Sequence, residues 1–267
     1  MKNGFGVFFA IAIALGASWL GIVVGSTLQL GAAKETTVLV SGDTWPQQRT
    51  GEATLGLQIY RANGCVACHT EQVRQEGVVY EVVLTGVKKN PEVVSNLVRT
   101  LKLAELTKAE ADETAAKISD AGGKTETHLA ATGADIKHGW GLRHSVAADY
   151  LYDAPVQLGS LRAGPDLANV GGRKADANWH LLHLYAPGIV VKDSRMPSFK
   201  FLFEVRKVGA APAADALNGL PKEFAPPDGY EVVPKPEAKQ LVAYLLSLRA
   251  ETPLYEAPFT PATTAKP

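Results

Sequence analysis

The sequence predicts a mainly α chain: one N-terminal transmembrane helix, then a largely helical domain interrupted by a small α+β insertion of βααβ-like order. Three observations predict it. No charged residue occurs from Asn3 to Ala33. Apolar residues recur at helical spacing near both ends of the body, around Leu55–Tyr60 and Ala238–Leu248. Between them, a β-branched run (Val78–Thr85), two helical patterns and a short extended piece (Lys124–Leu129) follow in order. The expected organisation is an anchor over 1–31, a linker over 32–49, a domain built from 50–75 and 138–250, an inserted unit over 76–137, and a disordered tail over 251–267.

Each element has a local reason. Phe5–Leu28 is apolar apart from Ser18, Ser26 and Thr27. At about 1.5 Å per residue this stretch reaches roughly 36 Å, against a hydrocarbon core of about 30 Å. A cleaved signal peptide is the competing reading, but its apolar stretch is usually about 7–15 residues. Lys2 precedes the span, so the positive-inside tendency keeps the N-terminus in the cytoplasm and exports the body. After a polar linker with Gly42 and Pro46, a helix is expected from about Glu52 into the CVACH stretch, with Leu55, Ile59 and Tyr60 as buried candidates.

Asn90-Pro91 opens a helix carrying Val94, Leu97, Val98 and Leu101 on one face. Thr107–Glu110 reads as a capping box for an alanine-rich helix ending near Gly122. From His138 to Phe203 the chain is rich in Gly, Pro, Tyr, His and Arg, with one helix capped by Asp176 and stopped by Pro187. Lys207–Pro234 reads as a Pro/Ala/Gly loop. Pro236–Arg249 is an amphipathic helix with Ala238, Leu241, Leu245 and Leu248 as its buried stripe.

Composition narrows the chemistry. Lys plus Arg and Asp plus Glu each number 27, which gives no argument for a nucleic-acid partner. Nothing matches a phosphate-binding Walker loop, a nucleophile elbow or a paired-carboxylate site. The chain has two cysteines, Cys65 and Cys68, in YRANGCVACH. C-x-x-C-H is the attachment signature of c-type haem: both thiols reach the porphyrin vinyl groups, and the adjacent histidine sits beneath the iron. A zinc site needs further well-placed ligands and no other cysteine exists. A redox dithiol has no use for His69 and lacks a thioredoxin-like βαβ setting. Cys65 and Cys68 are therefore expected as covalent anchors and His69 as an axial iron ligand. Beyond the first residue the one methionine is Met196, in SRMPSF, a candidate for the opposite axial position. Its rivals are His128, His138, His144, His180 and His183, the last two on a helix with Trp179 where packing explains them.

These residues together resemble class I cytochromes c: a helix leading into CVACH, the stretch Gly164-Pro165-Asp166-Leu167, a methionine loop and a C-terminal helix. A narrower resemblance lies in RHSVAADYLYDAPVQLGSLRAGPDLANVGGR and NWHLLHLYAPGIVVKDSRMPSF. These stretches resemble subunit II of cbb3-type cytochrome c oxidases, the membrane-anchored mono-haem subunit of a haem–copper oxygen reductase. The likeness covers the anchor, 50–74 and 138–206. It implies that Cys65, Cys68, His69 and Met196 hold one covalent haem c, that the Pro165 carbonyl takes the proximal ring N–H, and that Arg162 either meets a haem propionate or is a surface or subunit-contact arginine. Tyr150, Tyr152 and Trp179 are candidates to pack on the porphyrin.

The resemblance further implies one-electron transfer from a donor cytochrome c towards a catalytic haem–copper subunit. This chain would be the non-catalytic, electron-transfer subunit of the enzyme, in contact with other oxidase subunits and membrane lipid. Its place would be the bacterial inner membrane, single-pass, with the haem domain on the periplasmic side. A free-standing anchored cytochrome c and a haem-based sensor are the alternatives. Two departures stand out: Arg74-Gln75 replaces the familiar arginine-proline, and the family pattern lacks the inserted unit.

Overall fold

The computed structural model describes residues 4–31, 34–38, 41–254 and 257. Its N-terminal part is α1 (Gly4–Trp19), a π-helical turn at Leu20–Val24 and α2 (Gly25–Leu30). Gly4–Gln29 forms a helix of 26 residues with mean hydropathy 2.4 and none of its window buried, long and apolar enough to cross a membrane. Lys2, on which the expected orientation rests, lies outside the described residues.

A short ribbon follows, β1 (Thr36–Thr37) antiparallel to β2 (Thr44–Trp45). It is fastened to the body by side chains: Trp45 Nε1 donates to Asp149 Oδ1 at 2.7 Å, and Arg49 pairs with Asp153. Thr50 then caps α3 (Gly51–Ala62), its hydroxyl accepting from the Ala53 amide. The buried face of α3 is Ala53, Gly56, Leu57 and Tyr60. Leu55, expected inside, is 49% exposed. The cause is Gly56. A methyl group there would stand 1.9 Å from the Gln240 carbonyl oxygen, so the partner helix lies hard against the Gly56 face and turns Leu55 outward.

That partner is the last helix of the chain, which buries Ala238, Leu241, Val242, Tyr244 and Leu245 along Pro236–Ser247. The two helices frame the main core, joined by Leu167, Val170, Leu182, Leu184, Leu202 and Phe203 from the intervening loops and short helices.

Between the haem-type motif and residue 133 the chain builds a second, smaller core. Its elements are β3 (Gly77–Val87), α4 (Pro91–Thr100), α5 (Lys108–Asp120) and β4 (Gly123–Thr132). The strands are antiparallel from Gly77↔Thr132 to Val87↔Gly123, with an irregularity at Leu84/Gly86. Thr107 and Glu110 form a reciprocal capping box on α5. Val82, Val94, Leu106, Ala111 and Ile118 are the buried centre. The two ends of this unit meet where the Glu76 amide donates to the Thr132 carbonyl, and α6 (Ala134–Lys137) returns the chain to the body.

After α7 (Val170–Arg173) and α8 (Ala177–Tyr185), capped by Asp176, comes a hairpin. β5 (Phe203–Lys207) pairs with β6 (Tyr230–Pro234), and the last helix is α9 (Pro236–Ser247). The sequence reading made 207–234 a loop throughout. Strand β6 is only five residues long, and its partner lies across a connection too long for a turn signal. Buried Glu231 ties the two arms by accepting from Arg206 Nε and the Ala213 amide. The tail also differs from expectation at its start. Leu254 and Ala257 are buried, 0% and 1% exposed, and Thr252 accepts from Arg143 Nε. Residues 255–256 and 258–267, where the rest of the expected disorder falls, lie outside the described residues.

Candidate functional site

Helix α3 ends at Asn63, and a single 3₁₀ turn over Cys65–Ala67 presents both thiols. Cys65 is half-buried against the main core, and burial pushes its thiol up to about 11; Cys68 is exposed. Both are unbridged. His69 follows directly. Its Nδ1 lies 2.8 Å from the Pro165 carbonyl oxygen, which leaves Nε2 as the free ring nitrogen. Burial holds the ring below the usual histidine range.

Gly164 sets the plane of this imidazole. A methyl group in place of its hydrogen would stand 2.3 Å from His69 Cε1 and 2.7 Å from Nδ1. The Gly164 amide donates to the Cys68 carbonyl at 2.9 Å, and the Leu167 amide to the Thr70 carbonyl at 2.8 Å. Thus 68–70 and 164–167 are laced together, and the histidine is gripped between them.

Above the ring opens an apolar cleft of about 590 Å³. Cys65 and His69 line it from the motif turn, Pro165 and Leu167 from the 164–167 loop, Leu241 and Leu245 from α9, and Met196 from the loop before β5. Four chain segments far apart in sequence therefore bring Cys65, His69 and Met196 to one apolar site, with exposed Cys68 in the same turn as Cys65. Among the described residues, three buried side-chain polar atoms lack a hydrogen-bond partner: Tyr60 Oη, Arg173 Nε and His183 Nδ1. All three residues line this cleft. Buried polar groups left unpaired are costly, and such a cluster marks where a polar ligand belongs. The donor set (two thiols at C-x-x-C spacing, a free imidazole Nε2 and a thioether) suits a c-type haem, and the unpaired guanidinium nitrogen suits its carboxylates.

The structure distributes the other expected residues differently. Trp179 lines the cleft, stacked on His183 at 4.9 Å between ring centroids and 16° between planes. His183, assigned to packing from the sequence, also lines it, and burial pushes its imidazole down to about 4. Its neighbour His180 is bonded through Nε2 to the Lys174 carbonyl at 2.8 Å. Tyr150 and Tyr152 line a second, polar cleft instead. Arg162 meets carboxylates, but they are the protein's own: Nη1 donates to Asp135 Oδ1 at 2.7 Å and Nη2 approaches Asp166 Oδ2 at 3.4 Å. Arg173 was not singled out from the sequence, and only its unpaired nitrogen in the cleft reveals it.

The polar cleft, about 770 Å³, is lined by Trp45, Arg49, Glu71, Asp149, Tyr150 and Asp153, among others. The Glu71 carboxyl is buried beneath it and takes the Tyr244 hydroxyl at 2.9 Å. Burial pushes this carboxyl up to about 8, although the Tyr244 hydrogen bond acts in the opposite direction. Desolvation, and then the charge of Glu71, drives the phenols of Tyr60 and Tyr244 well above their usual value.

An apolar anchor helix followed by a cleft that gathers Cys65, His69 and Met196 has the make-up of an anchored electron-transfer protein. Residues 136–221 match the family model described as cytochrome c oxidase, mono-heme subunit/FixO. The match supports the resemblance to subunit II of cbb3-type oxidases, and so implies a haem and association with other oxidase subunits. It contains Pro165 and Met196 but stops short of the Cys65–His69 motif, so match and motif are independent observations. No curated protein matches the chain.

Proposed function

We propose that this chain is the mono-haem, electron-transfer subunit of a cbb3-type terminal oxidase. Its body would be a class I cytochrome c domain carrying an inserted α+β unit over 76–137. The observation that carries the reading is the convergence of Cys65, His69 and Met196 on one apolar cleft that also holds three unpaired polar atoms. When bound there, a covalent haem c supplies one-electron exchange between ferric and ferrous iron.

The chain's own residues do the rest. Cys65 and Cys68 anchor the group by thioethers. The His69 ring is held by Pro165 and Gly164 so that Nε2 faces the cleft. Met196 offers its sulfur from the opposite loop, and Leu241 and Leu245 exclude water. Arg173 offers its Nε–H to an anionic edge. The anchor would leave the body on the periplasmic side of the inner membrane, taking electrons from a donor cytochrome c and passing them to the catalytic subunit.

The test is a reduced-minus-oxidised spectrum of the tagged protein, gently solubilised from its native membranes, with oxygen uptake on the same sample. A c-type band accompanied by b-type haem and cyanide-sensitive uptake is expected. A c-type band alone, without uptake, points to a free-standing carrier. A second reading of the sixth ligand is favoured by the unpaired buried nitrogen of His183. Met196→Ala and His183→Ala separate the two: the variant that loses the low-spin spectrum and binds carbon monoxide identifies the ligand. Carbon monoxide binding by the parent protein would favour a sensor.

A further inference from the structure

We propose that Arg162 is a positioning residue for the proximal histidine, fixed in place by a carboxylate next to the 77–132 unit. The inference rests on the reading of His69 as an iron ligand. The guanidinium sits at the junction of three segments. Its Nε donates to Thr70 Oγ1 at 2.8 Å, Nη2 to the Gln72 carbonyl at 2.5 Å, and Nη1 to Asp135 Oδ1 at 2.7 Å. One face is covered by Trp140, whose ring centroid is 5.2 Å from Cζ.

The Thr70 hydroxyl in turn donates a hydrogen bond to Asp166 Oδ2, and Asp166 is completely buried. The same carboxylate takes the amides of Gln72 and Ala168, each at 2.9 Å. One frame thus fixes the residues following His69 (Thr70 and Gln72) and those following Pro165 (Asp166 and Ala168). The 2.8 Å contact between the imidazole and the Pro165 carbonyl is the gap this frame sets. Arg162 does not line the cleft, so it reaches the haem site only through the frame.

Asp135 supplies the far end. It lies in α6, is 4% exposed, and its second oxygen takes the Arg74 amide at 2.7 Å. It therefore bridges the extended segment leading into the 77–132 unit and the helix leading out of it, and presents the resulting corner to Arg162. A partly buried guanidinium shared between two buried carboxylates holds its geometry because displacing it leaves their charge unpaired. The unit that interrupts the domain is thereby wired to the proximal ligand through one side chain.

The experiment is redox titration of the purified full chain and of Arg162→Lys, which keeps the charge but not the planar fork. A stronger bond from the ring N–H to the carbonyl raises the basicity of the ligand and favours the ferric state. Loosening the frame is therefore expected to raise the midpoint potential in Arg162→Lys, and to speed exchange of the His69 ring proton about ten-fold. Arg162→Gln is expected to raise the potential too, whereas simple loss of a positive charge would lower it. A destabilised Arg162→Lys protein with unchanged potential and exchange overturns the inference, because the arginine is then structural only.

Should Arg162→Lys fail to assemble, Asp135→Asn carries the test through ring-proton exchange: faster exchange supports the wiring and unchanged exchange refutes it. A parent protein without a c-type spectrum overturns the reading of His69 itself, an outcome distinct from all of these.

Discussion

Two clefts are built on opposite rules, although Tyr60 of the apolar one packs its ring 5.2 Å from Tyr244, which holds Glu71 of the polar one. The apolar cleft holds Tyr60 Oη, Arg173 Nε and His183 Nδ1 without partners. The polar one is crowded with charge, yet its charges are matched within the chain. Arg49 meets Asp153, Arg143 forks onto Asp149 at 2.7 and 2.8 Å, and Glu71 takes Tyr244. Polarity alone is thus a poor guide to function. A paired charge fastens structure, whereas an unpaired donor in an apolar wall asks for a ligand.

The sharpest way to break this contrast is at the motif. Replacing Cys65 and Cys68 together by alanine is expected to abolish covalently held haem, read as loss of haem staining on a denaturing gel. Retained staining would remove the apolar cleft from consideration as a covalent site. In the polar cleft Arg49→Ala should behave in the opposite manner. It strands Asp153, whose side chain is 2% exposed, and should cost about 3 kcal/mol of stability in chemical denaturation with the haem spectrum unchanged. A changed spectrum would show that the clefts are not separable.

Between them, Gly56→Ala forces α3 off the Gln240 carbonyl, and overpacking of this kind costs roughly 1–3 kcal/mol. A thermal melt should fall accordingly, and a neutral result would mean that the two helices do not cross this closely. At pH 4 the smallest effect is expected from Glu71→Gln, because a protonated glutamate and a glutamine are nearly isosteric. In the folded protein the carboxyl keeps its proton to about 8, against 4.5 for an ordinary glutamate. The unfolded chain loses that proton first, so stability should decline as pH rises between those values. With glutamine at 71 this decline should vanish while stability at pH 4 stays as it was. An identical pH profile in both proteins would place Glu71 in a wetter setting.

What could be read from the sequence follows the range over which each signal acts. Thr107 with Glu110, Asp176, and the stripe Ala238, Leu241, Leu245, Leu248 are local, and each capping or packing pattern is present in the structure. The cysteines and histidine of the motif are likewise local. Strand β6 was missed because its pairing with β5 depends on a partner far along the chain. Leu55 was misplaced because periodicity cannot tell which side of α3 Gly56 offers to α9. For the same reason Arg173 and His183 looked like ordinary loop and helix residues. Their missing partners appear only once the cleft has walls. Arg162 drew attention by resemblance, but its actual neighbours, Asp135 and Asp166, are set by how the 77–132 unit rejoins the body.

The wall beside the His69 imidazole is main chain at Gly164, and main chain has no rotamers to change. A group whose nearest contact is a hydrogen-bonded peptide moves little when the charge beside it changes by one, because the dipoles around it are already set. In the language of electron transfer, if His69 holds an iron as proposed, this would lower the reorganisation energy on its side of the site. The rate of exchange would then be governed by distance and driving force, and the protein would add little waiting time of its own.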